Sequence, residues 1–208
     1  MGRFGSIAFT PQVKAMQARM GSRAAYARME GEGQSDTIGD DEREFLAARD
    51  SFYMATVGEG GWPYIQHRGG PKGFVRVLGP RTIGFADFRG NRQYISVGNL
   101  ATNDRVALIL VDYPSRTRLK ILAHARVITA ADDADTLNKL VPSDYRASIE
   151  RGFVLEVEGL DWNCPQHIIA RYTEDEVAEA TRPLRERLAA LETENAALRV
   201  AVRDDFEP

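Results

Sequence analysis

The chain has 208 residues, of which 43% are hydrophobic and 27% are charged, values that are ordinary for a globular protein of one domain with appendages. A formal net charge of −3 gives no basic field of the kind that favours nucleic acid, and the single cysteine, Cys164, excludes an intrachain disulfide and a cysteine-based metal cluster. Because the apolar runs are much shorter than a membrane span and the N-terminus lacks the apolar core of a signal peptide, we expect a cytoplasmic protein that binds neither nucleic acid nor membranes.

Residues 1–38 predict an N-terminal helical extension of one or two short helices that ends in a linker. Val13, Met16 and Met20 recur at helical spacing, and the glycine-rich, polar segment GEGQSDTIG follows them. Asp40 is placed to cap the next helix, whose first turn is acidic.

Residues 39–172 predict a mainly β domain with flanking helices, an α+β arrangement. Glycine turns and period-two alternation indicate strands over residues 51–57, 62–68, 118–127 and 151–160. The continuous apolar run over 106–111 indicates a fully buried strand. A further strand pair flanks the turn at Gly79 and Pro80, and residues 131–140 predict a surface helix.

A basic loop, Arg89-Gly90-Asn91-Arg92-Gln93, stands where a helix over Asn91–Leu100 is expected to begin. Free backbone N–H groups at a helix start and two guanidinium groups together suit a phosphate. A solvated turn with a capping role is the alternative reading of this loop.

Residues 173–208 predict a helix that forms a coiled coil. Val177, Leu184, Leu191 and Leu198 occupy heptad position d, and position a holds Thr181, Leu188, Asn195 and Val202. In a parallel dimer Arg187 would face Glu192 of the other helix, and Glu194 would face Arg199. An amphipathic helix packed on its own domain is the alternative.

The stretch from Asp50 to Thr129 resembles the FMN-binding split β-barrel of the pyridoxamine 5′-phosphate oxidase-related proteins. The segments that carry the resemblance are FADFRGNRQYISVGNLATNDRVALILVDYP and RLKILAHARV. The resemblance implies that the basic loop holds the FMN phosphate, that the protein is a homodimer with FMN at its interface, and that bound FMN transfers a hydride or electrons. It leaves the substrate unknown.

The resemblance also marks candidate cofactor-binding residues outside the basic loop. His67 and Arg68 end a strand on opposite faces, so that only one can face a given ligand, and Arg68 is the better electrostatic candidate. The full candidate set comprises His67, Arg68, Lys72, Asp87, Arg89, Gly90, Asn91, Arg92, Gln93, Arg118, Lys120, Trp162, Gln166 and His167.

No catalytic side chain and no metal site are predicted. Cys164 and His167 lack a third residue to orient the histidine, and the remaining histidines are too few for a metal site. The oxidases of the family carry an arginine and a histidine two residues apart that grip the substrate phosphate, whereas His167 and Arg171 are four apart, so pyridoxamine phosphate is not assigned as substrate. The alternatives are a non-catalytic flavin-binding or sensory dimer, or a split barrel that uses F420 or haem.

Overall fold

The computed structural model describes residues 2–30, 34–163 and 166–204. The chain divides into two compact units, which are described separately. The first comprises Met1–Asp112 and Arg116–Ile168, and the second comprises Tyr113–Ser115 and Ile169–Pro208.

The first unit is built on one seven-stranded antiparallel sheet that is not closed. Its strands follow the order β2-β1-β5-β6-β7-β4-β3. The bounds are β1 Ser51–Val57, β2 Pro63–Gly69, β3 Arg76–Val77, β4 Thr82–Phe88, β5 Arg105–Asp112, β6 Thr117–Ile128 and β7 Ile149–Asn163. This sheet and its helices confirm the predicted mainly β split-barrel fold with helical flanks.

In the described part of the first unit, six short helices accompany the sheet. Their bounds are α1 Arg3–Ala8, α2 Pro11–Arg19, α3 Arg23–Ala27, α4 Asp40–Ala47, α5 Ile95–Leu100 and α6 Ala130–Leu140. The N-terminal extension therefore has three helices where one or two were expected. At α4 the first helical residue is Asp40, and Gly39 precedes it with its N–H donated to the Glu42 carboxylate at 2.9 Å.

The core is aromatic at its centre. The alternation of β1 sends Phe52 and Met54 inward, and they are 1% and 0% exposed. The ring of Phe85 on β4 lies 5.0 Å from the Phe52 ring and 5.0 Å from the Phe153 ring of β7. These rings connect strands from both halves of the sheet, which keeps the curved sheet folded around one core.

Helix α5 is shorter than predicted, because the expectation of a helix over Asn91–Leu100 was wrong at its start. Arg92 and Tyr94 have φ values of 61° and 55°, the left-handed region that interrupts a right-handed helix. Tyr94 makes a hydrogen bond to Glu150, and the Arg151 guanidinium lies 4.7 Å from its ring centroid, contacts that offset the backbone cost. The basic residues consequently lie on a loop, and α5 begins only at Ile95.

The second unit is dominated by α7, Glu174–Asp204, the long C-terminal helix that the sequence predicts. Thr173 and Glu176 form a reciprocal cap: the Thr173 N–H donates to the Glu176 carboxylate at 2.8 Å, and the Glu176 N–H donates to the Thr173 hydroxyl at 3.2 Å. In the same unit the Arg171 guanidinium lies 5.0 Å from the ring centroid of Tyr113.

Across the described ranges, none of the helices has both the length and the apolar character needed to cross a membrane.

We predict that Gly159→Ala displaces α1 from β7. A Cβ at Gly159 would lie 2.8 Å from the Phe4 Cα and 2.9 Å from the Phe4 nitrogen, both backbone atoms of α1. Overpacking of this kind costs about 1–3 kcal/mol, and urea unfolding together with the rate of proteolysis in residues 2–30 would measure the loss. Gly98→Ala is the matched control, because a Cβ there meets nothing within 4 Å. Equal stability of the two variants would contradict the docking of α1 on β7.

Candidate functional site

A cleft of about 210 Å³ opens beside β2, β4 and the loop that precedes α5. Two strands supply its walls, with Gln66 and Arg68 from β2 and Asp87 and Phe88 from β4. The remaining lining residues are Gly90, Asn91, Arg92, Tyr94, Ser96, Val97 and Glu150.

A buried ion-pair cluster joins the two walls of the cleft. The Arg68 guanidinium contacts Asp87 Oδ1 at 2.5 Å, and Arg151 Nε lies 3.4 Å from Asp87 Oδ2. The side chains of Arg68 and Asp87 are 12% and 10% exposed, and the Arg68 guanidinium also lies 4.9 Å from the Phe153 ring centroid. Arg68 on β2 is therefore linked to β4 and β7 through its ion pair with Asp87, although among the described strands β2 pairs through its backbone only with β1.

Burial moves the pKa values of the central pair in opposite directions. Burial raises the pKa of Asp87, and the charges of Arg68 and Arg151 oppose that shift. Burial likewise lowers the pKa of Arg68, and the Asp87 carboxylate opposes that change. The charge of each partner thus opposes the effect of burial on the other, which makes the pair mutually dependent.

The rim of the cleft is a hydrogen-bonded chain around Glu150. Arg92 Nε donates to the Tyr94 hydroxyl at 3.2 Å, and that hydroxyl donates to Glu150 Oε1 at 3.2 Å. Glu150 also pairs with Arg151 at 2.9 Å and with Arg89 at 3.8 Å. Desolvation would raise the pKa of Glu150, but hydrogen bonds from Arg151 and Tyr94 outweigh it and lower that pKa. The rim therefore presents an ionised carboxylate among guanidinium groups.

Polar side chains position the start of α5 against the sheet. The buried Ser96 hydroxyl donates to Gln66 Oε1 of β2 at 3.0 Å. One turn further on, Asn99 Nδ2 donates to the buried Thr56 hydroxyl of β1 at 2.9 Å. These bonds fix α5 on the inner side of β1 and β2 and so fix the loop that carries Arg92.

The family model for pyridoxamine 5′-phosphate oxidase matches residues 38–162, which is more than half of the chain. The chain belongs to the pyridoxamine 5′-phosphate oxidase family. The family predicted from the sequence is thereby confirmed, and the matched range contains every residue that lines the cleft. No curated protein matches this family member.

Solved structures similar to this family member include HupZ from Group A Streptococcus, at 15% identity and a TM-score of 0.49 over 65% of this chain and 99% of that one. An FMN-binding protein from Syntrophomonas wolfei shows 13% identity and a TM-score of 0.46, covering 71% of this chain and 97% of that one. HutZ, the haem storage protein of Vibrio cholerae, shows 17% identity and a TM-score of 0.38, covering 60% and 93%. At these values the family assignment depends on the family model alone.

The structure brings together part of the predicted cofactor-binding set of this family member. Arg68, Asp87, Gly90, Asn91 and Arg92 line the cleft, and Arg89 reaches its rim through Glu150. Gly90 lies beside open space, since a Cβ there would meet nothing within 4 Å.

Other members of the predicted set lie elsewhere in the fold. His67 is exposed on the outer face of β2, and its ring contacts Tyr53 at 5.4 Å. Trp162 donates to Glu42 of α4 at 2.6 Å and packs against Phe45. Lys120 pairs with Asp161 at 3.4 Å. Lys72, Gln93, Arg118, Gln166 and His167 are also not among the residues that line the cleft.

Cys164, considered above as a partner of His167, lies outside the described residues. Within the described ranges, no group of three or more histidine, cysteine, aspartate or glutamate residues is placed to hold a metal ion.

Sequence reasoning missed four polar residues of the cleft: Gln66, Tyr94, Ser96 and Glu150. Gln66 could have been predicted, because it lies two residues before Arg68 on a strand and so shares its face. Glu150 could not have been predicted from the sequence, since it reaches the cleft through the pairing of β7 with β4, in which Arg151 lies opposite Asp87.

We predict that Asp87→Ala strongly destabilises the first unit. Removing one partner of a buried ion pair leaves Arg68 and Arg151 without their shared carboxylate and costs about 3–5 kcal/mol. Urea unfolding followed by circular dichroism would measure it. Glu179→Ala is the control, because its pair with Arg182 at 2.7 Å has side chains 70% and 63% exposed, and it should leave stability unchanged. An Asp87→Ala protein with an unchanged free energy of unfolding would show that the cluster does not hold the two walls of the cleft together.

Proposed function

We propose that the protein is an FMN-binding oxidoreductase that works as a homodimer, with the cleft receiving the phosphate end of FMN. The carrying observation is the charge of the cleft. Arg68 and Arg92 line the cleft, and Arg89 and Arg151 pair from its edge with the two lining carboxylates, Asp87 and Glu150. Among the described residues, four guanidinium groups therefore share two carboxylates, and positive charge is in excess. A phosphate monoester, with up to two negative charges and several acceptor oxygens, complements that excess.

The residues present fit a phosphate in three respects. Arg92 is exposed, and its Nε donates a hydrogen bond to Tyr94. The two terminal nitrogens of its guanidinium group can therefore donate to an anion. Arg68 Nε is buried without a hydrogen-bond acceptor among the described residues. The open space beside Gly90 leaves room for the ligand to approach the loop backbone.

The size of the cleft supports a site that one chain does not complete. Small-molecule pockets enclose about 300–1,000 Å³, whereas the cleft holds about 210 Å³. That volume suits a phosphate with part of the ribityl chain, and the ring system would need further surface. In this proposal the second copy supplies it.

The outer face of the sheet supports the homodimer. Tyr53 and Ile65 are 43% and 65% exposed there, and they line an apolar groove of about 180 Å³ with Ala107, Ile109 and Leu122. Contiguous apolar surface of this kind is typical of protein contact sites. A second copy of the chain is the occupant in this proposal.

When bound, FMN would supply hydride or electron transfer through its ring. The chain's own part would be to hold the phosphate with Arg92 and Arg68, to orient the loop through Tyr94, and to set the local charge with Glu150. This division requires no acid–base side chain, in keeping with the absence of a predicted catalytic residue.

We predict that Arg92→Ala weakens FMN binding about tenfold to a hundredfold, the loss expected for one hydrogen bond to a charged group. Titrations followed by flavin fluorescence would measure it. Riboflavin is the matched ligand because it lacks the phosphate, so its affinity should not change. Arg28→Ala, on the exposed N-terminal extension, is the matched protein control and should bind FMN as the unaltered chain does. Equal FMN affinity in the Arg92 and Arg28 variants would refute the phosphate assignment.

We predict that Glu150→Gln strengthens FMN binding, the opposite of the effect expected for Arg92→Ala. The glutamine keeps an acceptor for Tyr94 but removes the negative charge that competes with a phosphate for Arg89 and Arg151. FMN should then bind several-fold more tightly at low salt, and the gain should shrink as salt rises. Isothermal titration at two salt concentrations tests this. Weaker binding would mean that Glu150 supports the ligand and does not compete with it.

The cofactor itself is tested by the visible spectrum of the purified protein with and without added FMN. Flavin absorption with quenched fluorescence, and FMN identified by mass after release, would support the proposal. A protein that takes up F420 or haem in preference to FMN would replace it with the corresponding alternative.

A further inference from the structure

One face of α7 carries an exposed apolar stripe. Val177, Leu184, Leu191 and Leu198 lie at seven-residue intervals and are 46%, 71%, 43% and 60% exposed, and Leu188 between them is 57% exposed. Together with Thr181 and Asn195, these residues alternate spacings of four and three, which places them along one side of the helix. A stripe of this width matches the seam of a coiled coil.

We propose that α7 pairs with α7 of a second copy as a parallel, two-stranded coiled coil in register. The proposal is independent of the flavin proposal, since it rests on a helix that contributes no residue to the cleft. The apolar stripe alone does not show what binds to it. The charged and polar residues of the same helix indicate that its partner is a second copy of α7.

The charges that flank the stripe complement a second copy of the same helix. Arg187 and Glu194 occupy position g, and Glu192 and Arg199 occupy position e; all four are exposed. In a parallel pair, each g residue faces the e residue five positions later on the other helix, so Arg187 meets Glu192 and Glu194 meets Arg199. Two-fold symmetry makes each of these attractive contacts twice.

Asn195 selects the parallel orientation. In a parallel pair it faces Asn195 of the other copy at position a, and the two amides can bond to each other. In an antiparallel pair a positions face d positions, so the amide would face a leucine and lose its partner. The single Asn195 therefore favours one orientation and one register.

Two other residues of α7 are compatible with the seam. Pro183 falls at position c, on the outer side of the helix, so it does not obstruct the contact. Thr181 at position a donates its hydroxyl to the Val177 carbonyl at 2.8 Å, so that polar group is satisfied within its own helix. The seam runs from Leu184 to Leu198 without a charged side chain.

Cysteine cross-linking of the full chain tests the pairing and its orientation. In a Cys164→Ser background, Leu191→Cys should give a disulfide-linked dimer under mild oxidation, because d residues face each other in a parallel pair. Thr193→Cys, at the outer position f, should not. Cross-linking only in a mixture of Leu188→Cys and Leu191→Cys chains would overturn the parallel orientation, and no cross-link in either experiment would overturn the coiled coil.

Charge reversal tests the same contact without cysteines. Arg187→Glu should raise the dimer dissociation constant several-fold at low salt, and adding Glu192→Arg to it should restore most of the affinity, as measured by light scattering on dilution. A chain that ends at Arg182 should dimerise at least tenfold more weakly. Unchanged dissociation constants in these variants would overturn the proposal, whether or not FMN binds.

Discussion

The ion-pair cluster of Arg68, Asp87 and Arg151 is the interaction on which the first unit most depends. The sheet leaves β2 and β4 in different halves of the strand order, and no backbone ladder joins them in the described part of the chain. The Phe52, Phe85 and Phe153 rings pack against one another in the core and so hold the two halves of the sheet together. The Arg68–Asp87 contact at 2.5 Å joins the same two halves at the cleft. An apolar contact could close the rim equally well, but it would leave no charge in the cleft.

The same cluster decides which arginines are available to a ligand. Asp87 neutralises part of Arg68 and Arg151, and Glu150 engages Arg151, Arg89 and the hydroxyl of Tyr94. Among the described residues, Arg92 donates a hydrogen bond to the uncharged Tyr94 hydroxyl and makes no ion pair, although the charge of Glu150 acts on it from a distance. An anion in the cleft would thus meet two kinds of guanidinium group, one structural and one free. The two left-handed residues, Arg92 and Tyr94, hold this arrangement at a cost in backbone energy, which is expected where a loop is shaped for binding.

Local sequence patterns predicted the helices and strands whose bounds depend on neighbouring residues. They did not predict the contacts that arise when distant strands pair. Alternation located β1 at its observed bounds, Ser51–Val57, and heptad spacing located α7. The start of α5 was predicted four residues early because nothing in Arg92 or Tyr94 signals a left-handed backbone, which glycine or asparagine would have done. Glu150 and Arg151 reach the cleft through a strand pairing some sixty residues apart in sequence, as the register of Asp87 with Arg151 shows. Trp162 packs on Phe45 of α4, a contact that no spacing rule reveals.

The two proposals made above both invoke a second copy of the chain, and each begins from one feature of the structure. The cleft of about 210 Å³ is too small for a whole flavin, and the apolar stripe of α7 is exposed along its length. A parallel coiled coil starts both helices at the same end, so the segments just before Glu174 in the two copies emerge side by side. An antiparallel coil would separate those segments by the length of the helix, about 46 Å for 31 residues. Pairing of α7 would link the two copies, and linkage of this kind would raise the effective concentration of one first unit for the other.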